Sequence, residues 1–120
     1  PPAHAATRLW FCKPFLAVHS DSAGKFRDTG AATKLEGFIG CARAIPQLAY
    51  LPDVARIAAP TPLIVGANDG PLPQAMRDLQ PLIAGSVLEV IADAGHLPNI
   101  DQPEAFNAAL LRHLKRFVAR

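Results

Sequence analysis

The sequence has only two cysteines, and neither lies in a pattern that binds metal or builds a disulfide framework. Cys12 and Cys41 stand alone, without a CxxC pair and without a histidine at metal-ligand spacing. A single disulfide between these two cysteines is the alternative, but a reduced, cytoplasmic setting is the simpler interpretation. We therefore expect no metal site and no fold that depends on disulfides.

Long apolar runs and a strong net charge are missing as well. No stretch approaches the roughly 18 to 20 apolar residues that cross a bilayer. Lys13 and Pro14 interrupt the most apolar part of the N-terminal region, and no signal-peptidase site follows it. The formal net charge is only +2, from 12 Lys and Arg residues against 10 Asp and Glu residues. We therefore expect no membrane partner and no nucleic-acid partner.

Proline, in contrast, is abundant, and the apolar content is that of a globular protein. With 12 prolines among 120 residues, the chain is expected to form many turns and no long uninterrupted helix. Apolar residues make up 50% and charged residues 18% of a sequence that has the length of one domain, which argues against disorder. Because the chain begins with Pro1 and Pro2 and not with Met, we expect a processed, shortened or incompletely determined protein.

The first half of the chain gives a weak structural pattern. Residues 15–18 predict a short strand, and the polar residues 20–30 predict a loop. A helical apolar stripe follows, which Pro46 ends, and its members are Leu35, Phe38, Ile39, Ala42 and Ile45. Two glycines weaken this helix and predict close packing on its face: Gly37 and Gly40. Cys41, beside the stripe, is expected to be a small core residue.

The second half shows a clear alternation of strands and helices. Residues 62–67 and 87–92 are short apolar runs of the kind found in buried parallel strands. Between them, apolar residues recur at helical spacing until Pro81 kinks or ends the helix: Leu72, Ala75, Met76, Leu79, Leu82 and Ile83. The alternation predicts that a helix connects the two strands.

A last helix is predicted after the second strand. Asp101 and Glu104 resemble a capping box, and Pro103 suits the first turn. The buried stripe of this helix is expected to comprise Phe106, Ala109, Leu110, Leu114 and Phe117. Strand, helix, strand and helix in this order form a βαβα unit of a parallel sheet, so the predicted fold class is α/β.

Two titratable side chains follow the two predicted strands. Asp69 lies two residues after the first strand, and His96 lies four residues after the second. Parallel strands lie about 4.8 Å apart and bind ligands beyond their carboxyl ends, so we expect this pair within hydrogen-bond reach. Gly66, Gly70 and Gly95 are expected to allow the turns that the pair requires. A carboxylate on Nδ1 of the histidine would leave Nε2 free to act as a base.

Three motifs resemble those of a known superfamily. Residues 59–69, A-P-T-P-L-I-V-G-A-N-D, look like the strand and acid loop of α/β-hydrolases, and residues 94–106, A-G-H-L-P-N-I-D-Q-P-E-A-F, look like their histidine loop and last helix. Residues 36–45, E-G-F-I-G-C-A-R-A-I, are similar to the last cap helix of the 3-oxoadipate enol-lactonase group. That group favours H-L-S-N-x-E-Q-P around the histidine, and this chain departs from it at Pro98 and Asp101.

The resemblance, which covers about residues 34–120, implies a serine nucleophile on a G-x-S-x-G elbow. No such pentapeptide occurs in the sequence. The nearest candidate is Ser22 in S-D-S-A-G, with Ser20 behind it, and a polar loop at the cap boundary is the other interpretation of both serines. The early strands that would complete an oxyanion hole are also absent. The chain is expected to carry the acid and the base, Asp69 and His96, without a convincing nucleophile.

We therefore predict the C-terminal half of an α/β-hydrolase. Residues 1–33 stay unassigned, as a cap or boundary segment; residues 34–58 are expected to form a cap-type helix and its connection, and residues 59–120 the βαβα part of the core. The resemblance implies hydrolysis of a carboxylic ester or enol-lactone without a cofactor, in the cytoplasm, during the breakdown of aromatic compounds. The expected partners are a small-molecule substrate and the missing N-terminal half or a second chain.

A second hypothesis is a non-catalytic fragment or assembly unit that keeps a relic of the hydrolase motif. Two strands leave exposed edges and a half-covered core, so the chain alone is expected to form a homodimer, exchange elements or aggregate. Taken singly, Asp69 also fits a turn-forming aspartate, and His96 fits a hydrogen-bonded loop histidine. A small nucleotide-binding domain is disfavoured, because no glycine-rich phosphate loop follows a strand.

Overall fold

The N-terminal part of the structure, a computed structural model that describes Arg8 and residues 10–118, is helical. Helix α1 spans Lys13–Val18, and helix α2 spans Ser20–Ala32. The predicted strand at residues 15–18 and the predicted loop at residues 20–30 are therefore wrong. Pro14 lies in the first turn of α1, where its missing N–H costs no hydrogen bond, so this proline begins a helix and does not merely interrupt an apolar run.

Packing against an aromatic cluster explains why α2 is a helix. Its sequence is polar and contains two glycines, which gives it a weak helix propensity. Ala23, however, is only 3% exposed, and the ring of Phe26 meets the ring of Phe11 edge-on with centroids 5.2 Å apart. Phe11 also stacks on Phe15 of α1 with centroids 5.0 Å apart. Tertiary contacts of this kind override propensity, and they hold α1 and α2 together.

Helix α3 spans Leu35–Ala44 and carries an exposed apolar face. Short 3-10 turns follow it at Ile45–Gln47 and Leu51–Arg56. A Cβ placed on either glycine of the helix would meet nothing within 4 Å, and Cys41 is exposed. The predicted close packing and the predicted core position of Cys41 are therefore wrong. Six large apolar residues of this region are each more than half exposed, and we call them the apolar band: Leu35, Phe38, Ile45, Leu48, Tyr50 and Leu51.

Two parallel strands follow, and a helix connects them. Strand β1 spans Pro62–Gly66, helix α4 spans Leu72–Leu79 with a 3-10 turn at Gln80–Leu82, and strand β2 spans Val87–Ile91. The strands pair in register over their full length. Each ends one residue earlier than predicted. The predicted α/β class, with parallel strands and a connecting helix, is confirmed.

Two further helices follow β2. Helix α5 is a single turn, Pro98–Asp101, and helix α6 spans Pro103–Val118. The predicted capping box at Asp101 is wrong, because the Asp101 carboxylate accepts hydrogen bonds from the backbone N–H groups of Gly95 and Cys12. Hydrogen bonds to these backbone groups therefore take the place of the predicted cap at the helix start.

The face of α6 that packs on the sheet is narrower than the predicted stripe. Ala109 is buried and Phe106 and Leu110 are half-buried, whereas Leu114 and Phe117 are exposed, so the prediction is wrong for its last two members. The reason is length: a 16-residue helix is about 24 Å long, while a five-residue strand is about 17 Å long. The sheet therefore covers only part of the helix.

The core of the C-terminal half lies between α6 and the sheet. Ile91, Ala94 and Ala109 are buried together, and Ile64 packs against them. A guanidinium–carboxylate pair, Arg112 Nη2 to Glu89 Oε2 at 3.0 Å, links α6 to β2 at the surface. Within the part of the chain that the structure describes, no helix has the length and apolar character to cross a membrane.

Enlarging Ala109 is predicted to destabilise the fold. This residue is 1% exposed, so Ala109→Leu would overpack the helix–sheet contact and lower the free energy of unfolding by about 1 to 3 kcal/mol. The neighbouring Ala108 is exposed, so Ala108→Leu is the matched control and should change stability by less than about 0.5 kcal/mol. Urea denaturation of the two variants checks this, and equal stabilities would contradict the assignment of Ala109 to the core.

Candidate active site

Asp69 and His96 meet beyond the carboxyl ends of β1 and β2. Nδ1 of His96 lies 2.9 Å from Oδ2 of Asp69 and 3.2 Å from Oδ1. An ionised carboxylate can only accept hydrogen bonds, so Nδ1 of a neutral His96 carries the proton and Nε2 keeps a free lone pair. The Asp69 side chain is 13% exposed and the His96 side chain 46% exposed. The acid is therefore sheltered, while the imidazole is open to a reacting group.

Backbone contacts hold the two loops together beneath this pair. The N–H of Ala67 donates to the carbonyl of Ile91 at 2.8 Å, which extends the ladder beyond the strands. The N–H of Asn68, immediately before Asp69, donates to the carbonyl of Ala94 at 2.9 Å. The loop after β2 thus lies directly against the loop after β1, and the separation of Asp69 from His96 follows from backbone geometry.

Gly66 is required by this close approach. A Cβ on Gly66 would lie 2.5 Å from the carbonyl oxygen and 2.7 Å from the carbonyl carbon of Ala94, and it would also collide with the carbonyl oxygen of Gly95. Gly70 serves differently, because its φ of 51° lies in the left-handed region that glycine adopts freely. The expected turn-forming role thus holds for Gly70, whereas Gly66 and Gly95 provide space.

The loop after β2 is also anchored to the N-terminal part of the chain. Oδ2 of Asp101 accepts the N–H of Gly95 at 2.6 Å and the N–H of Cys12 at 3.2 Å. The N–H of Leu97 donates to the carbonyl of Trp10 at 3.2 Å. This role of Asp101 was not predicted from the sequence. The available signal was the substitution of Asp for Glu in the histidine motif, but contacts across 89 residues cannot be deduced from spacing.

Cys12 is a buried thiol beside this anchor. Its Sγ–H donates to the carbonyl of Asp93 at 3.2 Å, and the residue is 8% exposed. Burial raises the pKa of the Cys12 thiol above its ordinary value; a hydrogen bond with the backbone of Phe15 offsets part of this rise, and the negative charge of Asp101 adds to it. The thiol is therefore protonated at neutral pH and serves as a donor.

The structure does not bring Ser22 or Ser20 to this site. Both serines are exposed in the first turn of α2, which follows another helix and not a strand. A nucleophile elbow requires a strand-to-helix turn, so neither serine has the expected geometry. Among the described residues no group of three or more His, Cys, Asp and Glu side chains could hold a metal ion.

A cavity among the described residues lies elsewhere. It has a volume of about 330 Å³ and is lined by the first residues of both strands, Pro62 and Val87, together with α6 residues such as Arg112 and His113. It is therefore at the amino ends of the strands, opposite the end that carries Asp69 and His96. Ligands of open α/β sheets bind at the carboxyl ends, so the cavity is not the candidate active site.

A parallel sheet with an Asp–His pair at its carboxyl edge is the acid–base arrangement of the alpha/beta hydrolases. The model of the alpha/beta hydrolase family matches residues 1–109, so this chain belongs to that family. The match begins at the first residue and therefore extends over residues 1–33, which the motifs alone left unassigned.

Individual relatives agree with this assignment. The chain is 34% identical to 3-oxoadipate enol-lactonase 2 of Acinetobacter baylyi, over 98% of this chain and 44% of that protein. It superposes on the enol-lactonase from Burkholderia xenovorans LB400 with a TM-score of 0.88 at 27% identity, covering 94% of this chain and 44% of that one. A thermophilic esterase from Thermogutta terrifontis, solved with malate bound, gives a TM-score of 0.86 at 26% identity, covering 95% and 43%. The chain thus spans about half the length of the relatives it matches.

A methyl group at Gly66 is predicted to separate the two loops. Gly66→Ala would push the backbone of Ala94 and Gly95 away, and we expect a loss of about 2 to 4 kcal/mol in the free energy of unfolding. The control is Gly40→Ala, which meets nothing within 4 Å in a helix interior and should stabilise by about 0.5 to 1 kcal/mol. Urea denaturation measures both changes, and a Gly66→Ala chain as stable as the wild type would refute the close approach.

The two cysteines are predicted to react at different rates. Only the thiolate is nucleophilic, and Cys12 combines burial with a raised pKa, whereas Cys41 is exposed. Iodoacetamide at about pH 8 should therefore alkylate Cys41 at least about tenfold faster than Cys12, as measured by peptide mass spectrometry. In a Cys41→Ser chain, Cys12 is the remaining thiol. It should react slowly in the folded chain and as fast as free cysteine after denaturation. Equal rates in the folded chain would contradict the buried position of Cys12.

Proposed function

We propose that this chain supplies the acid and the base of a serine hydrolase that acts on a carboxylic ester or an enol-lactone. The observation that carries the proposal is the hydrogen bond between Nδ1 of His96 and Asp69, which leaves Nε2 on an exposed imidazole free. We expect the nucleophilic serine in the portion of the hydrolase that the relatives contain and this chain does not span; the position of Ser22 in a helix without an elbow supports this.

In the proposed reaction, His96 transfers protons and Asp69 orients and stabilises it. Nε2 of His96 removes the proton from the serine hydroxyl as the oxygen attacks the carbonyl carbon, and it returns a proton to the leaving oxygen. The acyl-serine is then hydrolysed by a water that His96 activates in the same way. Asp69 fixes the Nδ1–H tautomer and stabilises the imidazolium that forms in each step. No metal or organic cofactor takes part.

The substrate class is taken from the relatives. Two of them are named enol-lactonases and one an esterase, and both reactions begin with attack on an acyl carbon bonded to oxygen. We propose an enol-lactone whose product is a 3-oxo dicarboxylate, formed during the breakdown of aromatic compounds in the cytoplasm. The helical region of residues 34–58 would serve as part of the cap over such a substrate.

A second candidate function is a non-catalytic assembly unit. The apolar band favours it, because six large apolar side chains in one region are each more than half exposed. Contiguous exposed apolar surface of this kind marks interaction sites. Gel filtration and labelling with a serine-directed phosphonate distinguish the two candidate functions. A stable homodimer that takes up no phosphonate supports assembly. Stoichiometric labelling of the isolated chain would instead support Ser22 as the nucleophile.

Removing the imidazole is predicted to abolish hydrolysis in the reconstituted enzyme. The chain is mixed with the N-terminal portion of the Acinetobacter relative, and hydrolysis of an aryl ester and of the enol-lactone is followed. His96→Ala should lower kcat at least about 1000-fold, because the loss of a triad member removes both the base and the oriented proton. Asp69→Asn should lower kcat strongly as well, since an amide favours the wrong tautomer.

The matched control is His19→Ala. His19 is exposed between α1 and α2, where its ring lies against the ring of Phe15, so activity should stay within about twofold of the wild type. If His96→Ala keeps activity within about tenfold of the wild type, the proposed role of His96 is wrong.

A further inference from the structure

Asp101 is a buried carboxylate that holds the backbone immediately before His96. It is 8% exposed, and its Oδ2 accepts two backbone N–H groups from opposite parts of the chain, Gly95 at 2.6 Å and Cys12 at 3.2 Å. Helix α5 is one turn long and returns the chain from His96 to this position, so the carboxylate lies beneath the histidine loop.

The surroundings leave this loop little freedom. A Cβ on Gly95 would lie 3.0 Å from the carbonyl oxygen of Trp10, 3.1 Å from the nitrogen of Cys12 and 3.2 Å from Oδ2 of Asp101. On the other side of His96, the N–H of Leu97 donates to the same Trp10 carbonyl at 3.2 Å. The N–H groups of both residues that flank His96 are therefore hydrogen-bonded, that of Gly95 to the Asp101 carboxylate and that of Leu97 to the Trp10 carbonyl.

The burial of Asp101 is unusual for a residue with a purely local task. Its second oxygen, Oδ1, is buried and has no hydrogen-bond partner among the described residues. A buried carboxylate with one unpartnered oxygen is costly, so its two charge-assisted bonds through Oδ2 must offset that cost. One bond goes to the N–H of Gly95 in the histidine loop, and the other to the N–H of Cys12, the residue immediately before α1, so the carboxylate ties the histidine loop to the start of that helix.

We propose that Asp101 is a positioning residue for His96. It fixes the Gly95 backbone and thereby the direction from which the imidazole meets Asp69. This inference rests on the proposed function of His96, and it adds a second carboxylate to the support of the imidazole: Asp101 holds the loop that carries His96, and Asp69 holds the tautomer. Asp101 itself contacts neither the imidazole nor any reacting atom.

The test measures the tautomer of His96 in the intact chain, independently of catalysis. Imidazole nitrogen-15 shifts give the ratio of Nδ1–H to Nε2–H in neutral histidine, and the His96 signals are assigned by their loss in His96→Gln. In the wild type we expect mainly Nδ1–H, whereas free histidine prefers Nε2–H. Asp101→Ala should lower the ratio at least about threefold, while Asp101→Glu, which keeps a carboxylate, should stay close to the wild type.

A stability control separates positioning from folding. Ile83 is 4% exposed and lies outside the histidine loop, so Ile83→Ala should lower the melting temperature and leave the tautomer ratio unchanged. If Asp101→Ala does not fold, Asp101→Asn replaces it; the amide oxygen can still accept both N–H groups, and we expect an intermediate ratio.

Three outcomes would overturn these statements. A wild-type chain without the Nδ1–H preference would refute the Asp69–His96 pair, and with it both the proposed function and the present inference. In the second outcome, the wild type shows the Nδ1–H preference and Asp69→Asn loses it, but Asp101→Ala (or the Asn variant in its place) keeps the wild-type ratio. This outcome would refute the positioning role alone. A tautomer change in Ile83→Ala equal to that in Asp101→Ala would reduce Asp101 to a residue needed only for stability.

Discussion

At the carboxyl edge of the sheet, the backbone at the end of β1 lies against the backbone of the loop after β2, with no room for a side chain between them. Gly66 makes this contact sterically allowed, and the hydrogen bond from Asn68 to Ala94 fixes it. The side chains of Asp69 and His96 are then placed by peptide geometry, which is stiff, and not by their own flexible torsions. The imidazole needs only its short side chain to reach Asp69, so little conformational entropy opposes the pair.

This dependence on backbone explains why the pair could be predicted from the sequence. Short apolar runs predicted the two strands, the intervening stripe predicted the crossover helix, and parallel pairing required their carboxyl ends to lie side by side. Asp69 and His96 follow those ends by a few residues, so topology alone brings them close together.

The parts that the sequence did not predict depend on contacts between distant residues. Helices α1 and α2 form because Phe11 packs with Phe15 and Phe26. No local pattern of helix propensity indicates this packing. Asp101 resembled a helix cap because its neighbours in sequence suited one, yet its partner Cys12 is 89 residues away. The helical stripe of residues 35–45 shows the opposite error. Its periodicity and its glycines predicted close packing, yet Leu35, Phe38 and Ile45 are each more than half exposed in a chain that spans about half the length of its relatives.

The unequal lengths of the two loops have a consequence for how the site tolerates change. The strands end level with each other at Gly66 and Ile91, but Asp69 follows its strand by three residues and His96 by five. The two additional residues carry the second loop across the end of β1, where it is bound. An insertion or deletion of a single residue in either loop would therefore shift the hydrogen-bonding register and turn one side chain away from the other. Substitutions in the two loops are compatible with this geometry wherever glycine is not required, whereas insertions and deletions are not.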